Sequence, residues 1–590
     1  MSMTFRTRLT RILMMVGLAC AAASAQSEPI RPLNTVNAWA QYTDRIIVRL
    51  KDERTPDKRQ PMGAERARAL SASAGTYLIP YRLTGGQAHV MRLTHAMPLA
   101  EVERITAKLA QDPNVLYAEP DRRKFPHLVP SDPRYNQQWN LFEAAGGINA
   151  QTAWDLTTGS PSVVVAIVDS GVIFQNPDIA GRTLPGYDMI GSDDGNTANR
   201  SGGDGGTQFF TANDGSGRDN DPSDPGDWIN QNDKNGFFTD PSCTLSDSSW
   251  HGTSVASIFG AAANNGFGIA GVDWNAKILP VRVLGKCGGY TSDIMDGARW
   301  AAGIAVIGAG NVLVINPNPA QVINLSLGGP GTSCSSFEQT AINDILATGR
   351  VKAIVTSAGN ESQDASQNSP GNCNGVINVA ATDRNGSKAS YSDFGTAITI
   401  SAPGGFINRN DPADTGVNGL ISTSNCGTTV PIFAAQNCPD PTDITRQGAP
   451  YIAFFASGTS FAAPQVAGAV SLMLSANPAL TATEVRTILT STARAFQVGS
   501  NCSTSFQCGA GILDVNAAAR RAAAMPGGIG FTPAPPPSSG GGGGGGCTTG
   551  GGASDFALPL LMLAALLGLA RRRRKCPVPQ IVFINSSCGS

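Results

Sequence analysis

The sequence has almost no net charge, few histidines and no Cys-x-x-Cys pair. Its 43 Lys and Arg residues nearly balance 44 Asp and Glu residues, so a nucleic-acid partner is not expected. None of the twelve cysteines belongs to a Cys-x-x-Cys pair, which argues against a zinc site. Only four residues are histidine, which leaves few candidates for an imidazole base.

The residues that are present indicate several segments in one long chain. The chain has 590 residues, 41% of them hydrophobic, which is enough for at least one large core. The total charge hides an asymmetry, because residues 27–126 carry 16 basic and 11 acidic side chains, whereas residues 127–527 carry 19 and 32. Twelve cysteines are typical of an oxidising compartment.

The first 25 residues have the three regions of a secretory signal peptide. Three arginines precede the apolar stretch 12–23, and Ala23-Ser24-Ala25 is a typical cleavage site. We therefore predict a signal peptide over residues 1–25 and secretion to the medium or to a bacterial cell surface. A lipoprotein processed at Cys20 is the alternative, although Gly17 stands where a lipobox usually has leucine.

A serine at the start of an apolar helix is the first candidate for chemistry. Gly458-Thr459-Ser460 leads into an alanine-rich run, so the Ser460 hydroxyl is expected beside unpaired backbone N–H groups. A serine attacks a carbonyl when a base removes its proton and donors receive the oxyanion. Two partners are available, because Asp169 ends the apolar strand 163–168 and His251 begins a second apolar helix.

In this chain order the motifs resemble those of the subtilisin-like serine proteases. The motifs are Asp169-Ser170-Gly171, then His251-Gly252-Thr253, then Gly458-Thr459-Ser460. α/β-Hydrolases have the order Ser, Asp, His and chymotrypsin-like enzymes the order His, Asp, Ser, so chain order separates these families. The sedolisins, which have glutamate in place of histidine, are disfavoured by the intact histidine motif.

The resemblance implies a catalytic triad of Asp169, His251 and Ser460. It also implies that Asn360, which follows an apolar strand, shares the oxyanion with the Ser460 N–H group. The expected function is therefore a secreted serine endopeptidase that acts through an acyl-enzyme and needs no catalytic cofactor. A catalytically inactive, peptide-binding relative is the alternative.

The resemblance also implies where protein or peptide substrates bind. One side would be the family's strand that pairs with the substrate backbone, and the other side would be the wall of the P1 pocket. Asn368 would lie at the floor of that pocket. The expected wall residues are Ser326, Leu327 and Gly328 on one side and Ser357, Ala358 and Gly359 on the other.

A structural calcium ion is implied by the same resemblance. The family's site uses an aspartate nine residues after the catalytic one and the loop that follows the histidine helix, with oxygen ligands that suit Ca²⁺. Gln137 or Gln138 would complete the site. An ordinary Asn-Gly turn is the alternative. The expected ligands are Asp178, Ala263, Asn265, Phe267 and Ile269.

The pattern of strands and helices predicts two folded domains. Strand 44–50, helix 98–111 and strand 114–121 predict a small ferredoxin-like α+β domain within residues 26–126. The resemblance implies that this domain is an inhibitor propeptide of an autoprocessed zymogen, cut off between about residues 121 and 131. An unrelated ferredoxin-like domain is the alternative.

Residues 127–526 are predicted to form the catalytic domain, expected to be monomeric. Strands 163–168, 277–283, 322–327, 351–356 and 376–380 alternate with helices, which predicts an α/β fold with a doubly wound, mostly parallel sheet. Residues 191–249 have no periodicity and predict a long surface loop. Its carboxylates suggest a solvated acidic loop or, as the alternative, a second calcium site.

Eight cysteines lie within the catalytic domain and allow 105 disulfide connectivities. Proximity in sequence favours two short-range pairs, which leaves two further pairs. Metal ligation is the alternative. The favoured pairs are Cys502 with Cys508 and Cys426 with Cys438, leaving Cys243 with Cys287 and Cys334 with Cys373.

The end of the chain resembles the three-part sorting signals of Gram-negative surface proteins. A Pro- and Gly-rich linker (527–552) precedes an apolar segment with a basic cluster (553–575) and a short extension (576–590). The resemblance implies transient membrane attachment and removal of the tail by a sorting protease. The apolar run is fifteen residues, about 22 Å as a helix against a hydrocarbon core of about 30 Å. A retained transmembrane anchor is the alternative.

Overall fold

The computed structural model describes residues 42–51, 62–123, 128–194, 207–408, 416–434, 451, 453–504 and 507–530. The predicted signal peptide and Cys438 lie outside the described residues. The same holds for the linker beyond residue 530, the sorting-type tail and the extension 576–590.

The amino-terminal domain is a four-stranded antiparallel sheet with two helices. Its elements follow the order β-α-β-β-α-β and its sheet has the strand order β2-β3-β1-β4, which is ferredoxin-like topology. One face of the sheet is buried by apolar side chains such as Ile46 and Val48, which pack with Leu70 and Val102 of the helices. The elements are β1 (Tyr42–Leu50), α1 (Ala64–Ala74), β2 (Ile79–Leu83), β3 (His89–Pro98), α2 (Leu99–Leu109) and β4 (Val115–Pro120).

A parallel sheet of seven strands organises the second domain. Its strands are β5 (Val164–Asp169), β6 (Tyr187–Asp188), β7 (Lys277–Arg282), β10 (Val322–Leu325), β12 (Ala353–Ser357), β14 (Ile377–Thr382) and β15 (Ile400–Pro403). They are arranged in the order β15-β14-β12-β10-β5-β7-β6, and neighbouring strands are parallel. The α/β, doubly wound prediction is confirmed.

Alternate residues of the central strand β5 supply two separate cores. Val165 and Ile167 belong to one apolar cluster, and Ala166 and Val168 belong to another. Successive side chains of a strand point to opposite faces of the sheet, so helices cover both faces. This burial on both sides explains why the predicted strands are continuous apolar runs rather than alternating patterns.

The other described helices and short strands surround this sheet. The helices are α3 (Trp139–Phe142), α4 (Ala150–Ala153), α5 (Gln231–Asn235), α6 (His251–Gly260), α7 (Thr291–Ala301), α8 (Ser336–Ala347), α9 (Thr459–Ala476), α10 (Ala482–Thr492), α11 (Asn501–Thr504) and α12 (Val515–Ala523). Short strands pair antiparallel as β8 (Val306–Ile307) with β9 (Leu313–Val314), β11 (Gly329–Pro330) with β13 (Asn368–Ser369), and β16 (Leu420–Thr423) with β17 (Ala453–Ala456).

Helix α9 is apolar on all sides because it is buried on all sides. It contacts strands β10, β12, β14 and β15 of the sheet as well as helices α6 and α12. Of its eighteen residues, only Ser460 and Ser475 are not buried. The helix therefore holds Ser460, at its amino-terminal turn, on a rigid element.

The predicted loop 191–249 is more than a solvated acidic segment. Asp224 is buried and accepts a 2.8 Å hydrogen bond from Ser170 Oγ, directly beside Asp169. Asp214 accepts a 2.6 Å hydrogen bond from the buried guanidinium of Arg282. Two of its acidic residues thus have buried protein partners, which periodicity alone could not indicate.

The expectation of a transmembrane element is corrected by the structure. No helix in the part of the chain that the structure describes is both long and apolar enough to cross a membrane. The run 556–570, on which that expectation was based, lies outside the described residues.

Candidate active site

Asp169 and His251 meet where strand β5 ends and helix α6 begins. His251 Nδ1 lies 2.8 Å from Asp169 Oδ1, which also accepts a 2.8 Å hydrogen bond from the Ser170 N–H group. The residue before the histidine, Trp250, has left-handed backbone geometry with φ of 50°, and its indole N–H donates to the Gly427 carbonyl at 2.7 Å. The orientation of His251 is therefore set by the contact of its ring with Asp169 and by the backbone geometry of Trp250.

The pKa of His251 reflects opposing effects. Burial lowers this pKa, but the negative charge and hydrogen bond of Asp169 raise it, as do the charges of Asp227 and Asp224, and the net pKa is raised. The neighbouring carboxylates thus favour the imidazolium form that arises when a base accepts a proton.

Ser460 lies at the start of α9, opposite strand β10 and the residues that follow it. Its hydroxyl donates to the Ser326 carbonyl at 3.2 Å, and Ser326 Oγ donates to the Ser460 carbonyl at 2.7 Å. The second bond is possible because Pro464, one helical turn later, has no N–H group to bond the Ser460 carbonyl. The nucleophile candidate and the predicted substrate strand are therefore bonded reciprocally.

Asn360 is oriented by the residue before Ser460. Its Oδ1 accepts hydrogen bonds from the Thr459 N–H at 2.9 Å and from Thr459 Oγ1 at 3.0 Å. This fixes the amide plane and directs the Nδ2 donors away from Thr459. Gly359, which precedes it, has φ of 113° and could not carry a side chain without contacting Asn368 Nδ2 at 2.2 Å.

A single cleft of about 1100 Å³ brings most of the predicted site residues together. It contains His251 and Ser460 with both predicted substrate walls, whereas Ala358 is fully buried and contributes only its carbonyl, which accepts a hydrogen bond from Asn368 Nδ2 at 2.8 Å. Asn368, the predicted pocket floor, lies in β13 and pairs with Pro330 of β11. The predicted wall and floor residues that line the cleft are Ser326, Leu327, Gly328, Ser357, Gly359 and Asn368, and the predicted oxyanion residue Asn360 lines it as well.

The predicted calcium loop surrounds a buried carboxylate. Asp178 is fully buried, accepting hydrogen bonds from Asn265 Nδ2 and from the Ile269 N–H, each at 3.1 Å, and burial raises its pKa to about 7. Phe267 donates its N–H to Asn265 Oδ1 at 2.7 Å. Ala263 lies at the start of the same loop.

A second carboxylate approaches this loop in place of the predicted glutamines. Both groups of the Gln138 amide bond the backbone of Ala270, and Gln137 belongs to a short 3-10 helix. Asp132 instead accepts a hydrogen bond from the Asn264 N–H at 2.8 Å, while its buried Oδ1 has no partner among the described residues. Two buried carboxylates, one with an unsatisfied oxygen, are a donor set that fits a hard cation.

Disulfides connect three pairs of the eight predicted cysteines within the described residues. Cys243 is bonded to Cys287, Cys334 to Cys373, and Cys502 to Cys508. Cys426 is also disulfide-bonded, and Cys438 lies outside the described residues. The first two bonds lie beside the cleft, since Cys243 and Cys287 line it and Cys334 precedes α8 at its edge.

Comparison with known proteins agrees with this geometry. A model of the subtilase family matches residues 160–511, which include Asp169, His251, Asn360 and Ser460. The chain belongs to the subtilase family. It is a serine protease of that family.

Individual relatives are similar to most of this subtilase. An extracellular protease of Xanthomonas campestris is 40% identical over 489 residues, covering 82% of this chain and 73% of the relative. An extracellular basic protease of Dichelobacter nodosus is 35% identical, covering 85% and 74%. A solved protease structure from Pseudoalteromonas arctica has a TM-score of 0.54 and 42% identity, covering 67% of this chain and all of that one.

Several residues of the site could not be found by motif. Asp224 and Asp227 lie more than twenty residues before His251 in a segment without periodicity, and Asp132 precedes every predicted strand of the catalytic domain. Pro464 was visible in the serine motif, but its effect on the Ser460 carbonyl requires the helix boundaries.

Proposed function

We propose that this subtilase is an extracellular endopeptidase that hydrolyses peptide bonds with a triad of Asp169, His251 and Ser460. The hydrogen bond between Asp169 and His251, at the cleft that Ser460 lines, supports this proposal most directly. The similarity to extracellular proteases of Xanthomonas and Dichelobacter supports the extracellular location.

The proposed reaction gives each of these groups one role. His251 takes the hydroxyl proton as Ser460 Oγ attacks the substrate carbonyl, while Asp169 remains ionised and stabilises the imidazolium. The Ser460 N–H and Asn360 Nδ2 donate to the oxyanion. His251 then gives its proton to the leaving amine. In the second half of the reaction water attacks the acyl-enzyme while His251 takes a proton from the water, and His251 returns that proton to Ser460 Oγ as the acid product leaves.

Covalent labelling tests the proposed nucleophile. A fluorophosphonate probe should label the enzyme at Ser460, and Ser460→Ala should abolish both labelling and casein hydrolysis. Ser475→Ala, on the same helix and outside the cleft lining, is the matched control and should keep both. Casein hydrolysis by purified Ser460→Ala protein would refute the triad, and an unlabelled but folded wild type would favour an inactive relative.

We further propose that residues 26–126 act as the chain's own inhibitor and are removed by the enzyme itself. The face of the domain's sheet opposite its helices carries Arg45, Arg49 and Arg92, and residues 127–527 carry an excess of acidic side chains. Opposite charges assist association of two surfaces. Purified Ser460→Ala precursor should therefore stay intact on incubation, and its spontaneous processing would contradict self-cleavage.

We also propose that the loop 263–269 holds a structural calcium ion with the carboxylates of Asp178 and Asp132. When bound, the ion would neutralise two buried negative charges and tie the segment around Asp132 to the loop. It would have no part in the bond-breaking steps.

A further inference from the structure

The lining of the cleft has negative charge on several sides. Asp227, Glu338 and Glu361 are among its residues, whereas no lysine or arginine lines it within the part of the chain that the structure describes. A cleft with charge of one sign favours ligands of the opposite sign. Charge alone would not define a site, so the hydrogen-bonding groups at the predicted floor of the P1 pocket are needed as well.

Asn368 presents an unsatisfied acceptor at that floor. The residue is buried, with only 5% of its surface exposed. Its Nδ2 donates to the Ala358 carbonyl at 2.8 Å, which identifies Oδ1 as the remaining group, and Oδ1 has no partner among the described residues. A buried acceptor without a donor is costly, so a ligand that brings an N–H group is favoured over one that does not.

Gly328 packs closely against this acceptor. A Cβ atom at position 328 would lie 2.5 Å from Asn368 Oδ1, so a side chain there would cover the acceptor. Gly328 and Asn368 both line the cleft. The acceptor therefore lies against the predicted wall of the cleft at Gly328.

Two carboxylates flank this floor. Glu361 directly follows the oxyanion residue Asn360, is exposed, and accepts a 2.7 Å hydrogen bond from the Asn360 N–H. Glu338 is buried, and its Oε1 accepts a 2.7 Å hydrogen bond from Ser369 Oγ, next to Asn368. The disulfide between Cys334 and Cys373 ties the start of α8, which carries Glu338, to the loop after β13.

We propose that the P1 pocket of this subtilase selects a cationic side chain, lysine or arginine. Asn368 Oδ1 accepts a hydrogen bond from the substrate cation, and the carboxylates of Glu361 and Glu338 supply the opposite charge. This proposal rests on the peptidase function proposed above and names its substrate class. A neutral donor such as glutamine can use Asn368 but gains nothing from the charges, and an apolar side chain leaves the acceptor unpaired.

The chain itself contains a segment of matching chemistry. Arg122-Arg123-Lys124 follows the last strand of the amino-terminal domain, which ends at Pro120, and lies within the predicted maturation range 121–131. These residues are the only lysines and arginines in that range. The enzyme's own precursor thus presents cations where its first cut is expected.

Four peptides that differ only at P1 test the selection. Mature enzyme should cleave the lysine and arginine peptides with kcat/KM roughly tenfold or more above the norleucine peptide, because a hydrogen bond to a charged group is worth at least that factor. The glutamine peptide should fall between them. Raising the salt concentration should reduce the lysine-to-norleucine ratio, since the carboxylate of Glu361 is exposed.

Variants assign the effect to named residues. Glu361→Gln should lower the lysine-to-norleucine ratio about threefold, and Asn368→Leu should lower it further. Asp344→Asn is the matched control, because Asp344 is an exposed carboxylate on α8 that pairs with Arg299 outside the cleft lining. If Asn368→Leu does not fold, Glu361→Lys should invert the charge effect in its place.

Two results would overturn the proposal. One is cleavage of the norleucine peptide as efficiently as the lysine peptide, and the other is a ratio that neither Glu361→Gln nor added salt changes. These results differ from a failure of the proposed function, in which the mature enzyme would cleave none of the four peptides and would not react with the fluorophosphonate probe.

Discussion

At the scale of single residues, carboxylates outside the proposed triad raise the pKa of His251. Asp227 accepts hydrogen bonds from the N–H and Oγ of Ser249, both at 2.6 Å, and so holds its charge close to His251. Burial raises the pKa of Asp224 to about 7, so this carboxyl adds a full charge near His251 only above that pH. The inserted segment thus raises the pKa of His251 through its charges, and Asp227 also lines the cleft.

We expect Asp227→Asn to shift the acid limb of the kcat/KM profile to lower pH. His251 acts as a base only when neutral, and its pKa is raised, so activity in the wild type should fall below a midpoint higher than the ordinary value of about 6.5. Removing one nearby negative charge lowers this pKa by roughly half a unit. A neutral P1 peptide isolates the effect, Asp344→Asn is the control, and a midpoint that stays or rises would contradict the assignment.

The oxyanion donor gives a second residue-scale prediction. Asn360→Ala should lower kcat by about 10²–10³-fold with a much smaller change in KM, as reported for the oxyanion asparagine of subtilisin, because the donor is needed mainly in the transition state. Asn343→Ala, an exposed asparagine on α8, should change neither parameter. Equal losses in kcat for both variants would remove Asn360 from this role.

At the scale of elements, the sequence predicted what depends on burial and missed what depends on long-range pairing. The apolar run 163–168 is β5 at Val164–Asp169, and helix 98–111 is α2 at Leu99–Leu109, since continuous apolar runs and helical spacing are set by local burial. Gln138 shows the limit. An amide at that position can serve as a metal ligand or bond a backbone, and only the fold brings Ala270 to it.

The loop 263–269 provides the element-scale prediction. Chelation should lower the melting temperature of the mature enzyme, because an ion at 100 times its Kd stabilises the native state by about 2.7 kcal/mol. Asp178→Ala and Asp132→Ala should each reduce the difference between melting curves with calcium and with chelator. Asp344→Asn should retain the full difference. A chelator effect that survives both aspartate replacements would place the calcium elsewhere.

At the scale of the whole molecule, the two domains carry opposite net charges, and the lining of the cleft is acidic. The precursor carries a basic amino-terminal part, an acidic catalytic part, and Arg122-Arg123-Lys124 between them. Arg122 also pairs with Glu103 on helix α2 of the amino-terminal domain. Because both side chains are exposed, this pair contributes little stability and can be given up when the segment enters a cleft.

Replacing all three cations by glutamine should slow maturation without preventing it. The R122Q/R123Q/K124Q precursor would still present an extended segment to the triad, but it would lack the cation that the P1 pocket selects. Conversion of purified precursor should be followed by gel and by intact mass. R66Q/R68Q, two cations on helix α1, is the matched control. Equal conversion rates for wild type and triple variant would exclude these residues from the first cut.

The reciprocal bonding of Ser326 and Ser460 has a consequence for protein engineering. Since Pro464 leaves the Ser460 carbonyl to Ser326, any redesign of the strand at Ser326 also alters the support of the nucleophile. Glu361 has no such connection to α9 in its hydrogen bonds, which go to Asn360 and, through its own N–H, to Asp393. Libraries intended to change selectivity while keeping turnover should therefore vary position 361 and keep position 326 fixed.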